Sequence, residues 1–402
     1  MAADRPPPLC GIRVLDFGHI LAGPFCARLL ADLGAEVVKV ETATRQGRLG
    51  ARRGGAPRGN TSGRTPLLAH INRNRRSIDL NLKTNHGRDI ARQLADTADV
   101  LVENFSAGVM DRLGLGYEDL AKTNPRLVYA SMSAYGHMGP HHAWTGMNVT
   151  LQACSGLMLA TGAAGDPPIG ISNSWNDYIG GLHTAVAIVD ALSKRRETGK
   201  GRHLDVSQFE CSVAMIGSLL LASAVNDVPS ERLGSRSRSI APQGCYRCAG
   251  GDEWCAISVL NDDQWEALVA EIGDEAPELR SPRFATLAGR LDHHDEIDAA
   301  IESWTSAHTP EEVERHLGKR GVPAARMRRG NEIADVEEWR QVLKPCESPG
   351  GKVVGLPFAF RGSAPVGPVA APRLGEHGRE VLRDWLELED SALEHLFGKE
   401  PA

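Results

Sequence analysis

The sequence predicts an α/β fold in which a mainly parallel sheet is followed by a smaller α+β region. Short apolar segments alternate with helical patterns from Arg13 to about residue 224. Such alternation is typical of parallel sheets covered by helices. The composition changes near residue 225, where a polar connector (235–239, Ser-Arg-Ser-Arg-Ser) precedes shorter strands and helices. The 402 residues are enough for two or three domain cores.

The N-terminal segment has the pattern of a βαβ unit. Residues 13–17 form a short apolar strand, and a helix is predicted to begin at Pro24, since proline suits the first turn of a helix. Gly34 ends this helix, and residues 35–41 form the second strand. With so short a connection, the two strands are predicted to be parallel neighbours.

The same alternation continues along the chain. The apolar run 99–105 is typical of a parallel strand that is buried on both faces. Residues 180–196 carry a regular apolar stripe, end in basic residues and are followed by Gly199, so they predict a long helix. The other predicted strands are 75–82, 127–132 and 203–206, and the other predicted helices are 87–97, 110–113 and 208–224.

The C-terminal half is predicted to contain a smaller α+β domain at 225–335, between a first region at 1–224 and a returning segment at 336–402. Residues 345–372 are rich in glycine and proline and predict a long connection, whereas 375–396 are helical. The predicted elements of the middle region are strands at 244–247 and 254–259 and helices at 262–272, 297–306 and 310–319.

Composition limits the class of protein. No apolar run approaches the roughly 18 residues that span a bilayer, and the N-terminus lacks the apolar stretch of a secretory signal, so a soluble cytoplasmic protein is expected. The eight cysteines are scattered, which favours reduced thiols. Cys245, Cys248 and Cys255 lack an obvious fourth ligand, so no metal site is predicted.

Charge is unevenly distributed. The net charge of −6 argues against general affinity for nucleic acid, yet no acidic residue occurs between Thr42 and Ile78. This basic stretch indicates either an anionic partner or a solvated loop, and composition leaves both open. Its arginines are Arg45, Arg48, Arg52, Arg53, Arg58, Arg64, Arg73, Arg75 and Arg76.

Asp177 is the candidate catalytic residue, because it directly precedes the long predicted helix. A carboxylate at a helix N-terminus accepts free backbone N–H groups and feels the positive end of the dipole, which favours the ionised, nucleophilic form. The N–H groups of Gly180 and Gly181 are candidates for stabilising an oxyanion. The alternative is that Asp177 only caps the helix. Phosphate-loop, dinucleotide-binding, nucleophile-elbow and zinc-protease motifs are absent from the sequence.

Several segments, in this order along the chain, resemble the family III CoA-transferases. This family includes formyl-CoA transferases and 2-methylacyl-CoA racemases. The matching segments are 11–24, 33–41, 74–83, 98–105, 111–114, 124–128, 152–156, 195–201 and 372–377.

The resemblance implies an interlocked, ring-like homodimer. Each subunit would have a Rossmann-like large domain formed by both termini and a smaller middle domain. The family's catalytic aspartate falls on Asp177. The implied reaction passes through a mixed anhydride and then an aspartyl-CoA thioester, with acyl-CoA and a carboxylic acid as substrates and no tightly bound cofactor. The family's CoA contacts fall on Ile20, Ala22, Leu80, Lys83, Asn104, Phe105 and Arg112.

Differences from the family's branches narrow the predicted substrate. Racemases carry His-Asp where this chain has Met147-Asn148, so proton transfer at the α-carbon is disfavoured. Residues 241–248 resemble members that act on succinyl-CoA and larger acids. Arg236 and Arg238 either pair with a distal substrate carboxylate or lie in a solvated connector. The sequence therefore predicts an acid:CoA transferase with succinyl-CoA or a similar donor; a racemase or epimerase and a non-catalytic CoA-binding protein remain the alternatives.

Overall fold

The computed structural model describes residues 5–42, 66–226, 231–333, 342–347, 351–363 and 366–397. These residues group into two units. The first is drawn from Met1–Leu157, Gly170–Leu221 and Glu338–Ala402, and the second from Met158–Ile169 and Ala222–Glu337. Residues 158–169 belong to the second unit, and no pattern in the sequence predicted this.

The first unit contains a six-stranded parallel sheet with the order β3-β2-β1-β4-β5-β6. All neighbouring strands are parallel, and Val14 of the central strand pairs with Val37 on one side and Val100 on the other. The prediction of an α/β fold with a parallel sheet is thus confirmed. The strands are β1 (Arg13–Asp16), β2 (Glu36–Glu41), β3 (Arg76–Asp79), β4 (Val100–Glu103), β5 (Val128–Ser133) and β6 (Arg202–Ser207).

Helices cover the sheet and connect its strands. The predicted helix at 208–224 is wrong in its continuity, since two helices meet there at Ile216. Three short helices, α2, α5 and α6, were not predicted. The helices are α1 (Ala22–Asp32), α2 (Pro66–Ile71), α3 (Asn85–Thr97), α4 (Val109–Arg112), α5 (Tyr117–Leu120), α6 (Asn148–Cys154), α7 (Trp175–Thr198), α8 (Gln208–Met215) and α9 (Gly217–Asn226).

Each face of the sheet has its own apolar core, because successive side chains of a strand point to opposite faces. Val14 packs in a cluster that includes residues of α1 and α7. Leu15 packs in a second cluster that includes residues of α3 and of the C-terminal helices. Burial on both faces explains why these strands are apolar almost without interruption.

The second unit contains a three-stranded antiparallel sheet, β7-β8-β9, and several helices. Trp265 and Trp304 lie in its core, together with Cys248 and Cys255. Thr309 and Glu312 form a capping box at the start of a helix whose first residue is proline. The elements are β7 (Gln243–Arg247), β8 (Trp254–Ser258), β9 (Ala324–Arg326), α10 (Asp262–Ile272), α11 (Leu287–Asp292), α12 (His294–Thr305), α13 (Pro310–Lys319) and α14 (Gly330–Ile333).

The C-terminal segment returns to the first unit. The predicted long connection at 345–372 includes part of a short hairpin, β10 (Leu343–Pro345) and β11 (Lys352–Val354). The predicted helix at 375–396 is two helices, α15 (Gly378–Leu386) and α16 (Asp390–Phe397), with Glu387 in a left-handed conformation after the first. Within the described part of the chain, no single helix could cross a membrane; α8 and α9 meet that requirement only as a pair bent by 67°.

Candidate active site

The carboxyl ends of β1 and β4 lie side by side at the point where the strand order reverses. The helices that follow pack on opposite faces of the sheet, α1 after β1 and α4 after β4. Ligands of open α/β sheets bind in the crevice at such a switch point.

Asp16, the last residue of β1, organises the turn at this point. Its carboxylate accepts hydrogen bonds from the Gly18 N–H at 2.7 Å and from Arg75 Nη1 at 2.6 Å. Lys39 Nζ lies 3.5 Å from the same carboxylate and donates to the Gly18 carbonyl at 2.7 Å. Burial is the main cause that lowers the pKa of both Lys39 and Arg75, and the Asp16 charge opposes it. The turn is therefore fixed by buried charges.

Three arginines of the basic stretch make internal ion pairs. Arg75 binds Asp16 as described, and Arg73 binds Asp32 at 2.6 Å with almost no exposure. Arg76 pairs with Glu36 and Asp384. These three arginines stabilise the fold. A contact between the basic stretch and an anion stays a prediction for the other six arginines, which lie outside the described residues.

The loop that follows β4 binds the turn that follows β1. The Asn104 side chain accepts from the His19 N–H at 2.7 Å and donates to the His19 carbonyl at 3.0 Å. The rings of His19 and Phe105 meet edge to face with centroids 4.7 Å apart. Ile20 is exposed and has a left-handed φ of 63°, which is strained for a β-branched residue. The structure thus brings Ile20, Asn104 and Phe105 to one place.

The other predicted CoA contacts lie around the same edge. Ala22 is the buried first residue of α1. Leu80 and Lys83 follow β3; the Leu80 side chain is buried in the core, whereas Lys83 is exposed. Arg112 ends α4 and is exposed. Within the described ranges, neither Lys83 nor Arg112 forms an ion pair.

Asp177 is the third residue of α7, because the helix begins at Trp175 and not at Gly180 as predicted. Its carboxylate is half-buried and makes no hydrogen bond or ion pair with any residue that the structure describes. Burial raises its pKa to about 6. The expected shift toward the ionised form is therefore wrong in direction, because burial disfavours the charged carboxylate. A pKa of about 6 still leaves the carboxylate mostly ionised at pH 7.

Gly180 and Gly181 lie inside α7, which corrects the predicted oxyanion role. N–H groups in the interior of an α-helix bond to the carbonyl four residues earlier and cannot bind a ligand. Both glycines are buried at helix contacts. A methyl group at Gly180 would lie 3.0 Å from the Gln208 side chain. These residues allow close packing of α7 and do not stabilise an oxyanion.

Helix α6, which was not predicted, lies beside the start of α7. The Asn148 Oδ1 atom is 3.4 Å from the Asn176 N–H and accepts a hydrogen bond from Gln152 Nε2 at 3.1 Å. Asn148 therefore contacts Asn176, the residue that directly precedes Asp177. Alternating polar and apolar residues at 148–154 gave only a weak helical signal.

Both arginines of the polar connector form ion pairs. Arg236 binds Asp298 at 2.6 Å and Asp295 at 2.7 Å, so two internal carboxylates occupy its guanidinium, and a contact with a substrate carboxylate stays a prediction. Arg238 is exposed and pairs with Glu231. Across both units as described, no three His, Cys, Asp or Glu side chains are grouped as metal ligands.

Comparison with known proteins identifies the family. The model of CoA-transferase family III matches residues 9–378. The chain belongs to CoA-transferase family III. This CoA-transferase is 33% identical over 406 residues to the succinyl-CoA–D-citramalate CoA-transferase of Chloroflexus aurantiacus, covering 99% of both chains. It is 35% identical over 381 residues to the acetyl-CoA:oxalate CoA-transferase of Acetobacter aceti, covering 94% of this chain and 96% of the relative.

Solved structures agree with the family assignment. A CaiB/BaiF family protein from Brucella suis superimposes with a TM-score of 0.85 at 29% identity, covering 95% of this CoA-transferase and 100% of that chain. The similarity therefore includes both units of the chain.

Proposed function

We propose that this enzyme transfers CoA from succinyl-CoA or a similar thioester to an organic acid, with Asp177 as the nucleophile. The observation that supports this most directly is the state of the Asp177 carboxylate. It is half-buried, it has no hydrogen-bond partner among the described residues, and it is mostly ionised at neutral pH. A carboxylate that served only as a helix cap would accept backbone N–H groups of the first turn.

The reaction proceeds in balanced steps. An Asp177 oxygen attacks the thioester carbonyl carbon, the C–S bond breaks, and CoA thiolate leaves an aspartyl mixed anhydride. The thiolate then attacks the Asp177 carbonyl carbon, releasing the donor acid as its carboxylate and forming an aspartyl-CoA thioester. The acceptor carboxylate reverses these two steps and leaves as the new acyl-CoA. Covalent steps of this kind conserve the thioester bond energy.

CoA is proposed to bind along the carboxyl edge of a Rossmann-like sheet. The switch point carries Ile20, Asn104 and Phe105 next to α1, and α1 packs against α7. Phe25 of α1 and Tyr178, which follows Asp177, meet edge to face with ring centroids 4.8 Å apart. Lys83 and Arg112 are exposed cations that suit the phosphates of CoA.

The enzyme is proposed to be an interlocked homodimer. Leu182, Val186 and Val189 repeat at helical spacing on α7 and are all exposed. An apolar stripe of this kind on a helix that carries the nucleophile needs a cover, and a second copy of the chain is the occupant that the family resemblance implies. A sedimentation measurement tests this: a dimer is expected, and a monomer at micromolar concentration would contradict it.

Chemical trapping tests the nucleophile. The enzyme is incubated with succinyl-CoA, treated with hydroxylamine or borohydride, and digested for mass spectrometry. The modified peptide is expected to contain Asp177, and Asp177→Asn is expected to bind CoA but form no adduct. An adduct on another residue would refute the assignment.

Two measurements, a screen for new thioesters and a deuterium-incorporation assay, distinguish the alternative functions. A panel of acceptor acids that includes D-citramalate, malate, glutarate and oxalate is offered with succinyl-CoA or acetyl-CoA, and new thioesters are identified by mass. Transfer to an acid supports the proposal. Deuterium incorporation at the acyl α-carbon without acid exchange would indicate a racemase, and tight CoA binding without either reaction would indicate a non-catalytic protein.

A further inference from the structure

The turn that precedes Asp177 is strained. Asn173 and Ser174 have φ values of 67° and 53°, which places two consecutive non-glycine residues in the left-handed region. Serine rarely adopts this conformation. The Ser174 side chain makes no capping hydrogen bond to α7, so the turn does not gain the usual compensation at a helix start. The surrounding structure must hold it in place.

Gln152 holds the beginning of this turn. Its Nε2 donates to the Ile171 carbonyl and its Oε1 accepts from the Ile171 N–H, both at 2.7 Å. The Gln152 side chain is completely buried. The Gln152 amide thus donates one hydrogen bond to the Ile171 backbone and accepts another from it, as a residue of a neighbouring β-strand would. Asn148 Oδ1 takes the second Nε2 hydrogen at 3.1 Å, which fixes the orientation of the amide.

Asn176 holds the end of the turn. It is completely buried, and its Nδ2 donates to the Ser212 hydroxyl of α8. That hydroxyl donates in turn to the Gln208 carbonyl at 2.8 Å. Asn176 Oδ1 is buried and has no partner among the described residues. A buried amide oxygen without a partner lowers stability, so packing alone does not explain an asparagine at this position.

We propose that Gln152 and Asn176 are positioning residues that hold the Asn173–Ser174 turn, and through it the Asp177 carboxylate, in the reactive orientation. Gln152 binds the Ile171 backbone before the strained pair, and the Asn176 side chain anchors the start of α7 after the pair to Ser212 of α8. Neither side chain is expected to touch substrate. This inference rests on the proposed role of Asp177 as nucleophile.

The first test is Gln152→Leu, which keeps the size of the side chain and removes three hydrogen bonds. We expect kcat to fall about 10- to 100-fold, because a nucleophile displaced by about 1 Å loses that much rate. The KM for acyl-CoA is expected to stay within about twofold, since CoA binds elsewhere on the sheet edge. Thr184→Val is the matched control. It removes a buried hydroxyl of α7 that donates to the Gly180 carbonyl of the same helix, and kcat is expected to be unchanged.

The pair Ser212→Ala and Ser212→Thr provides a second test that does not depend on how Gln152→Leu folds. The alanine variant leaves Asn176 Nδ2 without its partner and is expected to lower kcat. The threonine variant keeps the hydroxyl and is expected to recover most of the lost rate. Equal activity of these two variants would contradict a role for the hydrogen bond.

Single-turnover trapping tests the positioning role of Gln152 separately from the assignment of Asp177 as the nucleophile. Wild-type enzyme is mixed with succinyl-CoA and quenched with hydroxylamine, and the rate of Asp177 modification is followed by mass spectrometry. Slower modification in Gln152→Leu, with an unchanged KM and a folded circular-dichroism spectrum, supports the inference. Modification at the wild-type rate would overturn it and leave the nucleophile intact. Wild-type modification at another residue would overturn the proposed function itself.

Discussion

Gly181 of α7 lies directly against Ala22 of α1. A methyl group at Gly181 would be 2.9 Å from the Ala22 carbonyl oxygen and 2.8 Å from the Phe25 ring. The two helices thus touch through their backbones. Because Ala22 begins the helix that follows the switch point, the missing side chain at Gly181 sets the distance between the Asp177 helix and the proposed CoA crevice.

Gly181→Ala is therefore expected to destabilise the first unit. The added methyl group meets a backbone carbonyl that cannot move alone, and overpacking of this kind costs about 1–3 kcal/mol. Chemical denaturation measures the free energy of unfolding. Gly217→Ala is the control, because Gly217 begins α9 with open space around its Cβ position. Alanine there is expected to be neutral or slightly stabilising. A similar loss in both variants would refute the packing argument.

Asp177→Asn is expected to stabilise the folded enzyme at neutral pH while abolishing turnover. Burial raises the pKa of Asp177 from 3.8 to about 6, so the folded state prefers the protonated form. The stability that the folded state gains by holding Asp177 protonated is fully present below pH 3.8. It is lost as the pH rises through about 6. Above that pH the ionised carboxylate opposes folding, and partial solvation limits this cost to about 1–2 kcal/mol.

The stability difference between Asp177→Asn and wild type is thus expected to appear between pH 4 and pH 6 and to stay constant above it. Thermal unfolding at a series of pH values measures it, with Asp119→Asn as a fully exposed control. A variant that is less stable than wild type at pH 7.5 would show that the carboxylate is a structural cap.

The rate of transfer is expected to rise with pH through the same range. Only the ionised Asp177 attacks the thioester, so kcat/KM should increase about tenfold from pH 5 to pH 6.5 and then level off, with an apparent pKa of about 6. The measurement uses a fixed donor and acceptor in buffers of constant ionic strength. A profile that is flat above pH 5 would contradict the raised pKa.

The strands were predictable because burial on both faces makes them apolar over short distances along the chain, as at 99–105. The proposed catalytic role of Asp177 followed only from the resemblance to the family, because an aspartate at the start of a helix is equally well explained as a helix cap. Its raised pKa depends on burial, which no local pattern gives. Gly180 and Gly181 resembled a helix start, but their function is a contact with residues that are distant in sequence, such as Phe25.

The arginines of the basic stretch illustrate the same limit. Arg73 and Arg75 appeared to form a positive patch because their acidic partners lie far away in sequence. Arg75 is 59 residues from Asp16, and Arg73 is 41 residues from Asp32. The folding of β1, α1 and the segment before β3 onto one another brings these charges together. The charge pattern along this segment left an anionic partner and a solvated loop open, and at Arg73 and Arg75 the fold has buried ion pairs instead.

Asp16→Ala is expected to cause the largest loss of folding stability among these substitutions. It leaves Arg75 and Lys39 buried without their shared carboxylate, and breaking a buried pair on one side costs about 3–5 kcal/mol. The exposed pair of Asp119 and Lys122 is the control, because solvent screens this pair and Asp119→Ala should cost much less stability than Asp16→Ala.

A milder variant connects this ion pair to binding. Asp16→Asn keeps an acceptor for the Gly18 N–H but removes the charge, so the turn that carries Ile20 should loosen and the Kd for CoA should rise. Calorimetric titration with CoA measures the Kd, and urea denaturation measures the loss of stability. An unchanged Kd together with a large loss of stability would show that Asp16 stabilises the fold without shaping the crevice, whereas a parallel change in both would show that the same buried charges determine the fold and the proposed CoA site.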